Sequence, residues 1–372
     1  MKKIAIIGAS YLQIPLVLKS KLSGLQTHCF AWEKGAVCRP FVDYFYPVST
    51  LDKGQILNIC RNIKIDAILS IASDVAVPTV NYVASNLGLI GNGISDSEAF
   101  VNKFFMRKIF KLNKIASPQF LKVSKDCPLE NNDSLAYPLI VKPVDRSGSR
   151  GVQKVTTPDE LPDAIARARK ESFTDECIVE EYIEGIEVSV ESISWEGKHF
   201  VLAITDKVTT NAPYFVEIEH HQPSNLAFDI QNKIKSETIK ALTALNIKYG
   251  ASHSEFKITN DHTVVVIEVG ARMGGDFIGS DLVKLSTGYD FLQGVINVSL
   301  GNFEEPIFNE NKYSGVYFLS EDTKHILPII QNSAQYDEIV KAEITDNELH
   351  SIQCSADRSG FFMYQSEKRF KI

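Results

Sequence analysis

Short apolar runs separated by helix-patterned stretches fill the first hundred positions. Lys3–Ile7 reads as a strand, followed by Gly8-Ala9-Ser10 and an amphipathic run from Ile14 to Leu22. Thr27–Ala31 reads as a second strand, and Ile65–Ser70 as a later one after the helical Ile56–Asn62. The pattern then predicts helices over Val77–Leu87 and Ser95–Phe110, the latter with Ser95 and Glu98 placed as a capping box. Strands alternating with helices predict a parallel, doubly wound sheet.

Beyond residue 112 the pattern changes. Ser117-Pro118, Cys127-Pro128 and the polar Glu130–Ser134 mark a loop-rich passage into a second unit. Strand-like runs follow at Leu139–Lys142, Val152–Val155 and Ile178–Glu181, with a helix over Pro158–Lys170. Val188–Ser194 and Phe200–Thr205 alternate around a hairpin-like turn at Glu196-Gly197. A long helix at Ile230–Leu245 precedes two strands, Ala251–Ile258 and Thr263–Val269, joined at Asn260-Asp261. Another strand-like run, Ser314–Leu319, lies in the tail that starts near Pro306. No internal repeat interrupts this order.

A chain of 372 residues is too long for one ordinary core, so two or three packed domains are expected. Its hydrophobic content of 44% and charged content of 23% suit a soluble globular enzyme. A formal net charge of -7 argues against a dedicated nucleic-acid binder. Met1-Lys2-Lys3 opens on two lysines, but the apolar run after them is too short for a signal peptide, and no stretch is long enough to span a bilayer. Six scattered cysteines show no metal or redox spacing, which fits small buried side chains in a reducing cytoplasm.

The amino-terminal sheet invites a dinucleotide reading, yet of the G-x-G-x-x-G fingerprint only Gly8 is present; Ser10 and Gln13 stand at the other glycine positions. Asp74 lies just past a strand's carboxyl end, either where open α/β sheets bind ligands or as an N-cap for Val77–Leu87.

More chemistry is written into the second unit. Leu139–Lys142 ends in a lysine, and Ser147-Gly148-Ser149-Arg150-Gly151 follows. Small residues leave loop amides free to wrap around phosphates, while Lys142 supplies a fixed positive charge. A G-K-[ST] motif opening a helix is absent. Ile178–Glu191 then places several carboxylates around a turn between two strands, where a strand edge offers backbone groups to an adenine ring and a carboxylate a partner for a ribose hydroxyl. Glu255 and Glu268 sit on neighbouring antiparallel strands, and their tight connection brings them side by side on one face. Two adjacent carboxylates repel unless a cation lies between them, and such oxygen ligands suit Mg²⁺ bridging nucleotide phosphates.

The order strand-lysine, glycine-rich loop, Glu180-Glu181-Tyr182-Ile183-Glu184-Gly185-Ile186-Glu187, then two strand-borne glutamates and an arginine resembles the ATP-grasp superfamily from about Lys103 to Gly288. That resemblance implies ATP and Mg²⁺, with Mn²⁺ as an alternative ion. It assigns Lys103 and Lys142 to the nucleotide phosphates, and Ser147, Gly148, Ser149 and Gly151 to a mobile phosphate-covering loop. Glu180 and Ile183 fall in the adenine-binding hinge, and Glu187 at the ribose. Glu255 and Glu268 become the metal ligands, and Arg272 faces the acyl phosphate. One position departs: Gly270 stands where many members have a metal-binding asparagine.

Gly270-Ala271-Arg272-Met273-Gly274-Gly275-Asp276, together with the run from Pro213 to Pro223, looks most like the L-amino acid ligase and carboxylate–amine ligase branch. By that likeness His220 lies near the acyl acceptor or donor, and Lys207 near the phosphates. The implied fold is an amino-terminal α/β domain (1–112), a small ATP-grasp lid (113–187), a central subdomain with the metal site (188–305) and a carboxy-terminal closing subdomain (306–372). The implied partners are a small-molecule carboxylate and an amine, both amino acids, with a homodimer compatible. Purine-pathway and carboxylase-type members are the rival enzymes, and a non-catalytic ATP-binding regulator the rival of another class.

Overall fold

The computed structural model describes residues 1–127, 135–210 and 215–372. Three sheets organise them. The first is wholly parallel and four-stranded, in the order Tyr44–Pro47, Gln26–Ala31, Lys3–Ile7, Ala67–Leu69. Lys3–Ile7 and Ala67–Leu69 are almost wholly apolar and buried, as parallel strands covered on both faces are, whereas Gln26–Ala31 opens on Gln-Thr-His and the edge strand Tyr44–Pro47 is only half-buried. Helix Lys53–Ile63 starts at Asp52, whose side chain accepts from Gln55 N. The short edge strand Tyr44–Pro47 carries no alternation that separates it from a loop, and the sequence pattern does not mark it.

The expected helix over Ser95–Phe110 is shorter in the structure. Residues 94–101 form successive turns, and the helix runs Lys103–Leu112. Asn102 is extended (φ -108°, ψ 108°), and its side chain accepts from Phe104 N and Phe105 N, so the cap is Asn102 rather than Ser95. Upstream turns instead bury Ala99 and Phe100 in the core.

The second sheet is antiparallel and four-stranded: Phe120–Val123, Cys177–Glu181, Leu139–Pro143, Gln153–Val155, backed by helix Leu161–Glu171. The third is the largest, with eight strands ordered Val264–Gly270, Gly250–Ile258, Ile186–Trp195, Lys198–Thr209, Glu217–Gln222, Tyr313–Leu319, Gly360–Ser366, Ile339–Ile344. Both residues of the turn between Ile186–Trp195 and Lys198–Thr209, Glu196 and Gly197, have positive φ (51° and 82°), the geometry that matches strand twist. The last three strands of the sheet come from beyond residue 306, so the expected closing segment extends the central sheet instead of forming its own.

Helix Phe228–Ala244 covers one face of this sheet, burying Ile230, Ile234 and Leu242 against Val188, Val190 and Val266. On the other face, Ile193, Leu202 and Ala251 share one apolar cluster with Ile4, Ile6 and Leu69 of the parallel sheet and with helix Phe291–Ser299. That shared core holds the amino-terminal domain against the strands that carry the candidate site.

Four of the six free cysteines (Cys29, Cys38, Cys60, Cys177) are buried, Cys354 is intermediate and Cys127 exposed. Burial pushes the Cys29, Cys60 and Cys177 thiols up to about 12, which makes them inert at neutral pH. Among the described residues no helix is long and apolar enough to cross a membrane.

Candidate active site

Between the small antiparallel sheet and the eight-stranded sheet lies a cavity of about 200 Å³. Its walls include Lys103, Lys142, Ser147, Gly148, Ser149, Glu180, Ile183, Glu187, Lys207, Glu255, Glu268 and Arg272. The structure thus brings together all but two of the residues to which the resemblance assigned a role.

The exceptions are Gly151 and His220. Gly151 closes the small-residue loop from behind: φ is +71°, and a Cβ there would sit 3.0 Å from Pro143 Cγ. His220 is buried away from the cavity, edge-on to Phe318 and 3.9 Å from Asp276 Oδ2. Burial lowers its pKa despite Asp276, so the ring stays neutral. Pro213 and Tyr214 of the same run lie outside the described residues.

Register explains the glutamate pair. Glu255 faces Glu268 across adjacent strands, and a bulge just after Glu255 shifts the pairing there. Each carboxylate has an ammonium against it: Glu255 meets Lys207 Nζ at 2.8 Å, and Glu268 meets Lys103 Nζ at 2.9 Å. Lys103 also donates to the Arg146 carbonyl at 2.7 Å, which ties it to the small-residue loop.

Lys207 has two further glutamates, Glu187 at 2.9 Å and Glu217 at 3.1 Å. Burial alone would lower its pKa, but the three carboxylates hold it well above the ordinary lysine value. One oxygen each from Glu187, Glu217 and Glu255 lies within 4.8 Å of the others, close enough to share a cation. Glu255 is held well below the carboxylate range: burial works against ionisation, and Lys207 and His253 overcome it.

Lys142 sits in the reverse setting. It meets Glu180 at 2.7 Å, and Glu180 is shared with the wholly buried Arg107. Arg107 Nη2 donates to Glu180 Oε2 at 3.2 Å and to the Ile267 carbonyl at 2.6 Å, while its Nε approaches Oε1 at 2.6 Å without hydrogen-bond alignment. Burial lowers the Lys142 pKa, Glu180 opposes it, and Arg107 and Lys103 add to it. The Glu180 side chain therefore anchors cations at the cavity wall, and its strand is an inner one, paired at Glu180 with both Phe120 and Ile140, so the strand edge expected for an adenine ring is not found at this residue.

Several functional side chains escaped the sequence reading. Arg107 follows Lys103 by one helical turn, so the two share a face; that spacing was the available signal. Glu217, His253 and Glu191 gave none, because only the sheet register gathers them. His253 lies between fully buried Glu191 and Glu255, 3.4 Å from the latter. Burial would lower its pKa, but Glu191 carries it up to about 9. Asp74 is not an N-cap: it opens the short 74–76 turn and makes no cap hydrogen bond, pairing instead with Arg272.

Residues 135–281 match the family model described as the ATP-grasp domain. It is similar to the alanine–anticapsin ligase of Bacillus subtilis (strain 168), 27% identical over 270 residues, covering 66% of this chain and 56% of that protein. A shorter segment of 133 residues is 35% identical to the D-alanine–D-alanine ligase of Flavobacterium johnsoniae, covering 34% of this chain and 40% of that protein. The chain thus spans about half the length of these curated relatives. The crystal structure of an L-amino acid ligase from Bacillus licheniformis aligns with a TM-score of 0.79 at 24% identity, covering 99% of this chain and 94% of that one, which shows a shared fold.

Proposed function

We propose that the chain is an ATP-dependent carboxylate–amine ligase that joins amino acids through an acyl phosphate. One observation carries this reading. The cavity sets a cation-rich wall (Lys103 and Lys142, with Arg107 buried behind them) against facing carboxylates (Glu255, Glu268), with Arg272 just beyond the end of the Glu268 strand. Binding ATP uses the first set, and neutralising its phosphates needs an ion held by the second. The donor set fits Mg²⁺: Glu255 and Glu268 are all-oxygen ligands, each now balanced by a lysine cation. When bound, that ion supplies charge neutralisation at the β- and γ-phosphates.

In this reaction a substrate carboxylate oxygen attacks the γ-phosphorus in line, and ADP leaves. Lys103 and Lys142 hold phosphate oxygens in place. Ser147–Gly151 closes over the phosphates and keeps water from the acyl phosphate. An amine then adds to the acyl carbon, Arg272 stabilises the oxyanion, and phosphate departs with formation of the amide. The named specificities of the alanine–anticapsin and D-alanine–D-alanine ligases support amino acids as both substrates.

The test is ADP and phosphate release from ATP and Mg²⁺ with single and paired L-amino acids, on wild type and Glu268→Ala. Release that needs two substrates and disappears in the variant is expected. Release driven by bicarbonate without an amine would replace this reading with a carboxylase. No release with any pair, alongside tight ATP binding, would replace it with a nucleotide sensor.

A further inference from the structure

Arg272 follows the Val264–Gly270 strand and meets a residue of the amino-terminal domain 198 positions away. Asp74 takes Nε at 2.8 Å and Nη2 at 3.0 Å, a side-on bidentate pair. Nη1 donates to the Met273 carbonyl at 3.3 Å. A guanidinium carries five N–H donors in one rigid plane. Three are used here, and among the described residues the other two have no partner. They remain for an anion in the cavity that Arg272 lines.

The segment carrying Arg272 is itself tethered. Ala72 N donates to the Met273 carbonyl at 3.2 Å, and Gly274 N donates to buried Glu191 at 2.9 Å. With the backbone pinned after the arginine by these two bonds and before it by the pairing of Gly270 with His253, Asp74 removes the side chain's remaining freedom. Both partners are largely buried, with side chains 15% and 13% exposed, so solvent does little to loosen the pair.

Gly270 records the same requirement in the sequence. A Cβ at that position would stand 2.7 Å from Asp74 Oδ1 and 3.1 Å from Arg272 Nε. Any side chain at 270, an asparagine included, would make the Asp74 carboxylate or the Arg272 guanidinium shift from the pair as it stands.

We propose that Asp74 is a positioning residue of the ligase site, fixing the plane of the Arg272 guanidinium toward the reacting anion, with Gly270 kept as glycine to admit the pair. This rests on the ligase reading above. It means that the amino-terminal domain completes the site with a residue that touches no phosphate.

Asp74 as a mere charge neutraliser gives the opposite signature. Removing a carboxylate would then leave Arg272 more positive and tighten anion binding, whereas losing a positioner weakens it. The experiment has two arms on the full chain. In steady-state turnover, Asp74→Ala is expected to lower kcat about 10- to 100-fold while KM for ATP stays within about twofold. Asp74→Asn, which keeps one acceptor oxygen, falls between. Gly270→Ala gives a similar loss with Asp74 intact, and adds little in the Asp74→Ala background.

In the second arm, calorimetry measures inorganic phosphate binding to the Mg²⁺–ADP-loaded protein, which needs no turnover. Several-fold weaker binding in Asp74→Ala and in Asp74→Asn is expected. Unchanged or tighter phosphate binding, or no phosphate binding by wild type, overturns the proposal, as does a kcat within about twofold of wild type. Wild type that is silent with every amino-acid pair sinks the ligase reading alone, and the phosphate arm still decides the role of Asp74. ADP affinity measured in the same titrations separates either result from misfolding.

Discussion

Lys142 and Lys207 are both buried and both line one cavity, yet their surroundings push them in opposite directions. Lys142 has one carboxylate, Glu180, and must share it with Arg107. Lys207 has three carboxylates, with Lys257 also touching Glu187 at 3.0 Å and His253 near Glu255. The first end carries surplus positive charge, whereas at the second the three glutamates are balanced by Lys207, Lys257 and protonated His253. Burial costs a charge several kcal/mol or more unless it is compensated, so the surplus at Lys142 calls for an anion, while the glutamates around Lys207 are held by cations already. The difference identifies what each end is built to receive: an anion at Lys142, and a cation among the glutamates around Lys207. It also explains why the same residue type reads as a ligand-binder in one wall and as a stand-in cation in the other.

The largest expected effect comes from breaking the Lys142 end at its root. Arg107→Met leaves Glu180 buried with a single partner, and removing one member of a buried pair costs about 3–5 kcal/mol. Urea unfolding at an unchanged m-value should show this as a lower midpoint. A loss below about 1 kcal/mol would mean that Glu180 is adequately held by Lys142 alone, and the idea of a cation surplus there would fail.

A smaller effect should sharpen the other end. Lys207→Met removes the ammonium from between Glu187, Glu217 and Glu255, whose oxygens already lie within 4.8 Å of one another. Three carboxylates so close repel, and a divalent cation relieves them. Mn²⁺ binding without nucleotide, followed by electron paramagnetic resonance, should tighten by about 10-fold or more, equivalent to about 1.4 kcal/mol. Unchanged binding would show that Lys207 is an ordinary structural ion-pair partner.

How much of this was legible beforehand follows from the kind of signal each part leaves. Glu255 and Glu268 could be paired from sequence because a tight turn fixes the register of two adjacent strands. Lys142 and its loop were legible because strand, lysine and small residues are contiguous. Arg107 was half legible, one helical turn from Lys103. Glu217 and Lys207 meet only because strands Lys198–Thr209 and Glu217–Gln222 pair around a shift in register after Val208, across a connection that sequence cannot measure. Asp74 and Arg272 lie on different domains, and no local periodicity reports such a contact. The helix start was misplaced for a related reason: Ser95 and Glu98 have capping-box chemistry, but burial of Ala99 and Phe100 folds them into turns and hands the cap to Asn102. Tertiary burial outranks a local capping preference.

The smallest expected effect turns the comparison into a pH profile. Burial, with help from Arg107 and Lys103, puts the Lys142 pKa below the ordinary lysine value, whereas that of Lys207 lies well above it. Nucleotide phosphate favours the protonated form of Lys142, so affinity is full below the depressed pKa and declines as pH rises through it. The decline must therefore begin below pH 10.4, where an ordinary lysine would still be charged. Lys207 contributes nothing in that window because it keeps its proton. ADP affinity measured by calorimetry from pH 7.5 to 10 should weaken a few-fold in wild type, on the order of 1 kcal/mol at most. Lys142→Arg, with a guanidinium that stays charged throughout, should reduce the slope to the share of His253, whose pKa of about 9 lies in the same window, and Lys207→Arg should leave the slope unchanged. An undiminished slope in Lys142→Arg would place the titrating group elsewhere in the cavity and remove the contrast between the two lysines.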